Sequence, residues 1–189
     1  ALPARGHTPG LHAASPEPHG PGRFDAMISR LRGTLLVRES DRVEIATPGG
    51  VVYEVEVPLT VFQQLPRPGA ELELRTLQVV RDDSLTLYGF LDDAGRDLFQ
   101  RLMSTSGVGA KLALAMLSTY SGPRLARALV EKDITALKQV SGIGKKTAER
   151  LVLELADKVT DLAVAAGARG DGAGPHGEVA QAAVSALMA

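Results

Sequence analysis

Cysteine and tryptophan are absent from the 189 residues, and aromatic side chains of any kind make up only 4%. Without cysteine there is no disulfide scaffold, no thiolate metal cluster and no cysteine nucleophile. A reducing, cytoplasmic setting fits that composition and is the expectation. No segment approaches the roughly 18 uninterrupted apolar residues of a membrane span, so no membrane partner is expected. Net charge is lacking too, at −1, but the balance hides an asymmetry: every lysine lies between Lys111 and Lys158. From Gly95 to Thr160, Lys and Arg outnumber Asp and Glu, whereas Met27 to Phe90 carries a slight acidic excess. Only the middle of the chain is basic.

Within that basic stretch, Ser141-Gly142-Ile143-Gly144-Lys145-Lys146-Thr147-Ala148 is a glycine-bracketed turn. It opens into a helical run, with Ala148, Leu151, Val152 and Leu155 at helical spacing. Glycines let the backbone adopt tight or positive-φ geometry and approach a ligand closely. A helix starting there presents free N–H groups and a positive dipole end, which together suit a phosphate. The pattern also occurs thirty-five residues earlier, as Ser106-Gly107-Val108-Gly109-Ala110-Lys111-Leu112-Ala113. Gly107, Val108, Gly109, Lys111 and Ala113 fall in register with Gly142, Ile143, Gly144, Lys146 and Ala148. One Gly-hydrophobic-Gly triplet is equally consistent with a ligand-free turn between helices. Two aligned copies with lysines form an internal repeat and resemble the helix-hairpin-helix, whose paired turns offer backbone amides to the phosphates of duplex DNA.

Residues 1–26 are rich in Pro, Gly, Ala and His without apolar periodicity, and are expected to be a disordered extension, with Met27 the functional beginning. His7, His12 and His19 are too irregularly spaced to read as a metal site. From Met27 to Phe90 the periodicity is two: Val43 and Ile45, then Tyr53, Val55 and Val57, then Leu72 and Leu74 alternate with glutamates, and Leu85 and Leu87 lead into Tyr88-Gly89-Phe90. With Ile28–Val37 this makes about five strands, which fit a small closed barrel of the OB type, with an SH3-like barrel as the competitor. Arg81-Asp82-Asp83-Ser84 lies between the last two strands. By spacing alone it is a turn, because Asp and Ser bond nearby backbone there. A metal-holding pair is not expected, since neighbours in extended structure point to opposite faces.

From Asp93 the spacing becomes helical, through Leu98, Leu102 and Met103, and again near 122–130 and 133–139. After Val159 the composition shifts to Ala, Gly and Asp, and a short apolar run ends the sequence. The expected architecture is therefore α+β and multidomain: a five-stranded OB-fold β-barrel over 27–91, then an all-α domain with two helix-hairpin-helix motifs over 92–160. A flexible linker over 161–177 and one helix over 178–189 complete it.

Four segments taken in order resemble the RuvA family of Holliday-junction-binding proteins: Met27-Ile28-Ser29-Arg30-Leu31-Arg32-Gly33, Val80-Arg81-Asp82-Asp83 with Leu87-Tyr88-Gly89-Phe90, and the two glycine turns with their helices. The resemblance covers Met27 to about Val159. It implies a homotetramer, alone or as two tetramers face to face, that holds four-way junction DNA open and square during branch migration, in recombination, repair and the SOS response. It also implies DNA contacts at Gly107, Val108, Gly109, Lys111, Gly142, Ile143, Gly144, Lys145, Lys146 and Thr147, a positive contact at Arg81, and an acidic pin of Asp82 and Asp83 at the centre. Partners would be the RuvB motor and the RuvC nuclease. The family meets RuvB through a third helical domain, of which 178–189 would be the first helix.

No cofactor, metal or catalytic residue is expected. Gly144-Lys145-Lys146 is not a P-loop, because it lacks the glycine five residues earlier and the Ser or Thr directly after the first lysine. Two other functions share these motifs. A helix-hairpin-helix glycosylase or ligase needs a nucleophilic lysine or an aspartate in a base-sized pocket, and none stands out. A general duplex or single-strand binder would carry stacking aromatics on its barrel, whereas Tyr53, Phe62, Tyr88 and Phe90 sit at core positions of the pattern.

Overall fold

The computed structural model describes residues 27–168. The expectations for 1–26, 169–177 and 178–189 lie outside the described residues.

Alternation builds the sheet. Strand β1 (Arg30–Arg38) turns Leu31, Gly33 and Leu35 inward, β2 (Arg42–Ala46) turns in Val43 and Ile45, and β3 (Val52–Glu56) turns in Val55. Strands β4 (Glu71–Val80) and β5 (Leu85–Phe90) complete a closed barrel in the order β1-β2-β3-β5-β4. Closure depends on β1 having two partners: it pairs with β4 from Arg30 to Thr34 and with β2 from Thr34 to Arg38. The other seam is a parallel contact between β3 and β5 at Glu56 and Tyr88. This is the five-stranded closure of the OB-fold, and the SH3-like alternative falls. Gly33 lies where β1 changes partners. A Cβ there would run into the Ala46 carbonyl, whose carbon would be 2.8 Å away. The bend also uses an irregularity between Leu35 and Val37, the local twist that a bulge supplies.

Inside the barrel, Leu31, Leu35, Val43, Ile45, Val55, Leu74 and Leu87 form one core, with Val61 and Leu65 of and after α1 (Leu59–Phe62) closing it. The second core is helical. It gathers α2 (Asp93–Met103), α3 (Ala110–Thr119), α4 (Gly122–Val130), α5 (Ile134–Leu137), α6 (Lys145–Leu155) and α7 (Thr160–Ala168), with a 3-10 turn at Asp157–Val159. Helix α2 starts at Asp92, whose carboxylate accepts the Gly95 N–H at 2.7 Å.

Barrel and helices are not loosely strung. Leu77, Tyr88 and Phe90 of the barrel belong to the helical core, and the rings of Tyr88 and Phe90 lie 4.9 and 5.1 Å from that of Phe99 on α2. At the other side of the contact the Leu59 N–H donates to the Ser118 hydroxyl at 3.0 Å and the Thr60 hydroxyl donates to the Leu117 carbonyl at 2.6 Å. The aromatic residues expected in the core are there, Tyr88 and Phe90 fully and Tyr53 and Phe62 partly buried.

The expected linker does not begin at 161, because helix α7 runs to 168. Its alanine-rich composition has high helix propensity. Leu162 and Ala163 pack against the helical core. The Arg101 guanidinium of α2 clamps its start, donating to Asp161 Oδ2 at 2.8 Å and to the Lys158 carbonyl. The same guanidinium holds the Asp161 carboxyl below its ordinary range.

Gly33→Ala is expected to lower the unfolding free energy by about 1–3 kcal/mol, the usual cost of forcing a methyl group into a filled space. Urea denaturation of the variant would show it, and an unchanged midpoint would mean that β1 can shift away from Ala46 freely.

Candidate nucleic-acid interface

The two glycine turns fold alike. Gly107 and Gly142 take φ of +77° and +87°, the left-handed region that glycine alone enters without cost. Two residues on, Gly109 and Gly144 are extended at φ/ψ of −88°/172° and −87°/175° and begin helices α3 and α6. Between them Val108 and Ile143 are each 6% exposed and plug the turns into the helical core. Their amides are spent within the turn, Val108 N–H on the Thr105 carbonyl at 3.0 Å and Ile143 N–H on the Val140 carbonyl at 3.1 Å. The two residues anchor the turns and offer a ligand neither side chain nor amide.

What remains open is the start of each helix. Neither Gly109 nor Gly144 caps its helix with a side chain, and nothing lies within 4 Å of where a Cβ would be on either. The first-turn amides of Ala110, Lys111 and Leu112, and of Lys145, Lys146 and Thr147, therefore have no partner within their helices. Lys111, Lys145 and Lys146 are exposed beside them, and Thr147 is half-buried. Lys145 is only loosely held, with Glu149 at 3.9 Å on an exposed face, a pairing worth little in water. Two adjacent helix N-termini flanked by lysines are suited to bind anions at a fixed separation.

The turns also touch each other's helices. Leu112 of α3 lies against Gly142, with Cδ1 3.6 Å from a Cβ position there. Across the pair, the Arg150 guanidinium of α6 lies over Gly107, with Cζ 3.2 Å from the corresponding position. One turn further along α6, Glu154 Oε2 accepts the Ser106 N–H at 3.3 Å. Arg150 and Glu154 were not singled out by the sequence pattern. Nothing in the local sequence signals that they reach the other repeat.

Arg81, Asp82 and Asp83 form a separate locus on the barrel, at the exposed tip of the β4–β5 hairpin. The Arg81 N–H bonds the Ser84 carbonyl at 2.8 Å and the Ser84 hydroxyl donates to Asp83 at 3.3 Å, which makes the turn. Val80 and Leu85, paired across its base, are 68% and 61% exposed.

The seam between barrel and first turn is charged. Burial raises the Glu56 carboxyl above its ordinary range, Asp41 and Glu54 add to the rise, and Lys111 and the Tyr88 hydroxyl oppose it. Tyr88 is raised in turn, by burial first and by Glu56 next. Among the described residues no group of three His, Asp or Glu side chains could hold a metal ion, and no helix is long and apolar enough to cross a membrane.

The RuvA N-terminal domain matches residues 27–89, and the SAM-like helix-hairpin-helix tandem matches 99–157. A relative from Gemmatimonas aurantiaca named Holliday junction branch migration complex subunit RuvA is 47% identical over 161 residues, covering 85% of this chain and 81% of the relative. The chain belongs to the RuvA family. Relatives of the same name from Laribacter hongkongensis and Acidobacterium capsulatum are 48% and 46% identical, over 72% and 80% of this chain and 67% and 77% of their own lengths. In RuvA terms, the barrel match ends at Gly89, one residue before β5 does, and the tandem match spans both glycine turns.

Glu56→Gln is expected to stabilise this chain at neutral pH. A carboxyl raised in the folded state opposes folding once pH exceeds its folded value, and that penalty vanishes below its unfolded value. Thermal melts from acid to neutral pH should show the variant's advantage growing with pH. A constant offset would mean that the Tyr88 hydrogen bond, not charge burial, dominates at this seam.

Proposed function

We propose that this chain binds four-way DNA junctions by their shape and serves as the non-catalytic DNA-holding subunit of a branch-migration complex. The observation that carries the reading is the duplicated turn: two positive-φ glycines, two uncapped helix starts and three exposed lysines. Such a surface takes hold of phosphates without reading bases, because phosphate contacts position a duplex and carry no sequence code. Its binding energy comes largely from released counterions, so affinity should fall steeply with salt. The relatives' shared name, that of a Holliday junction branch migration complex subunit, supports the choice of substrate.

In this reading four copies surround the crossover with the barrels at the centre and the glycine turns under the arms. Gly107, Gly109, Lys111, Gly142, Gly144, Lys145, Lys146 and Thr147 face the backbone of each arm. Asp82 and Asp83 act as a central pin that repels phosphates and keeps the strands apart at the crossover, with Arg81 as a neighbouring positive contact. The energy for moving the junction comes from the RuvB motor, and RuvC would act on the same open square. Two tetramers can clasp one junction from both sides.

The deciding experiment is a competition gel shift between a synthetic four-way junction and linear duplex of the same arm sequence, at two salt concentrations. A large preference for the junction is expected, and equal competition by duplex would reduce the turns to a generic phosphate clamp. Lys145→Ala with Lys146→Ala should weaken binding to every arm and lower the slope of log affinity against log salt by about 0.9 for each phosphate that the protein no longer neutralises. Asp82→Asn with Asp83→Asn should keep or tighten binding while narrowing the preference for junction over duplex. If the preference is untouched, the pair is a plain turn.

A further inference from the structure

The two turns match in backbone but not in charge. At the first helical position the second turn has the exposed Lys145, whereas the first has Ala110, which is 2% exposed and packed in the core. The first turn therefore has one cation of its own, Lys111, against two in the second. The missing charge stands there from another source. Arg150 of α6 rests its guanidinium on the bare backbone of Gly107, with Cζ 3.2 Å and Nη1 3.4 Å from where a Cβ would be. Any other residue at 107 would displace it. Gly142, at the equivalent place, has only a leucine methyl at 3.6 Å.

We propose that Arg150 is a phosphate-contacting residue of the first hairpin, supplied across the repeat by the helix of the second. Arg150 makes no ion pair with a described carboxylate, and the residue is exposed, so its planar set of donors is open to a bidentate anion. Glu154, one turn along α6, holds that helix against the first turn by accepting the Ser106 N–H. That contact ties α6 to the first turn, whose Gly107 backbone carries the guanidinium. Glu154 is thus a positioning residue. The arrangement makes the two hairpins a single grip: the first hairpin cannot bind at full strength unless α6 is docked against it.

The inference rests on the junction-binding reading, and its test separates the two. Junction affinity is measured over a salt series for the full chain and for Arg150→Ala, Arg150→Lys, Lys111→Ala and Lys145→Ala, with thermal melts alongside. Arg150→Ala is expected to melt like the parent, to bind on the order of tenfold more weakly and to lose about one unit of salt slope per engaged copy. Arg150→Lys should recover most of the slope. The double variant of Arg150→Ala with Lys111→Ala should be non-additive, because the two cations share one hairpin, whereas the combination with Lys145→Ala should be additive. An unchanged salt slope for Arg150→Ala, or coupling to Lys145 instead of Lys111, overturns the assignment. A parent chain that shows neither junction preference nor salt dependence overturns the reading beneath it.

Discussion

Everything at the interface depends on backbone left bare at positive φ. Gly107 and Gly142 reverse the chain in a conformation that a side chain resists, and each reversal is pinned from within by a buried residue, Val108 or Ile143. The apolar plug faces in, and the glycines on either side of it face out. Burial of one residue thereby orients the helix start that follows it. An anion site made this way needs no side chain of its own to be preorganised, since the donors are fixed by the same packing that holds the helices together.

The shared core of barrel and helices extends that rigidity to the whole described chain. Tyr88 and Phe90 are strand residues by hydrogen bonding and helical-core residues by packing. The acidic tip grows from the same two strands that carry Leu77, Tyr88 and Phe90 into the helices. A negative tip and a positive pair of turns are thus held on one scaffold, and their separation is set by close packing, which deforms little. In the proposed junction reading, this relative placement of repulsive and attractive charge sets the preference for a branched polyanion. The charge asymmetry visible in the composition, acidic barrel and basic helices, is the same fact seen without coordinates.

Much of this was legible early because its causes are local. Period-two alternation marked the strands of the barrel's middle, β2, β3 and β4, and the thirty-five-residue repeat marked both turns, since strand faces and turn geometry are decided within a few residues. Local pattern is silent where the cause is distant. Val108 and Ile143 share a motif with exposed glycines yet are buried, and their inward direction is visible only once the helices around them are in place. The alanine-rich stretch after Val159 looked like the start of a linker. Its helix α7 is held by Arg101, sixty residues earlier on α2, a partner that no window of sequence contains.

The sequence by itself therefore determined the kinds of element, their order, the duplicated turn and the family, because each follows from short-range periodicity and motif. Only the tertiary structure decided which residues of the motifs face solvent, that Arg150 and Glu154 of one repeat reach the turn of the other, and that barrel and helices share aromatic packing. Those outcomes depend on where separate segments meet in space. The meeting is set by the sum of all the packing, not by any stretch that takes part in it.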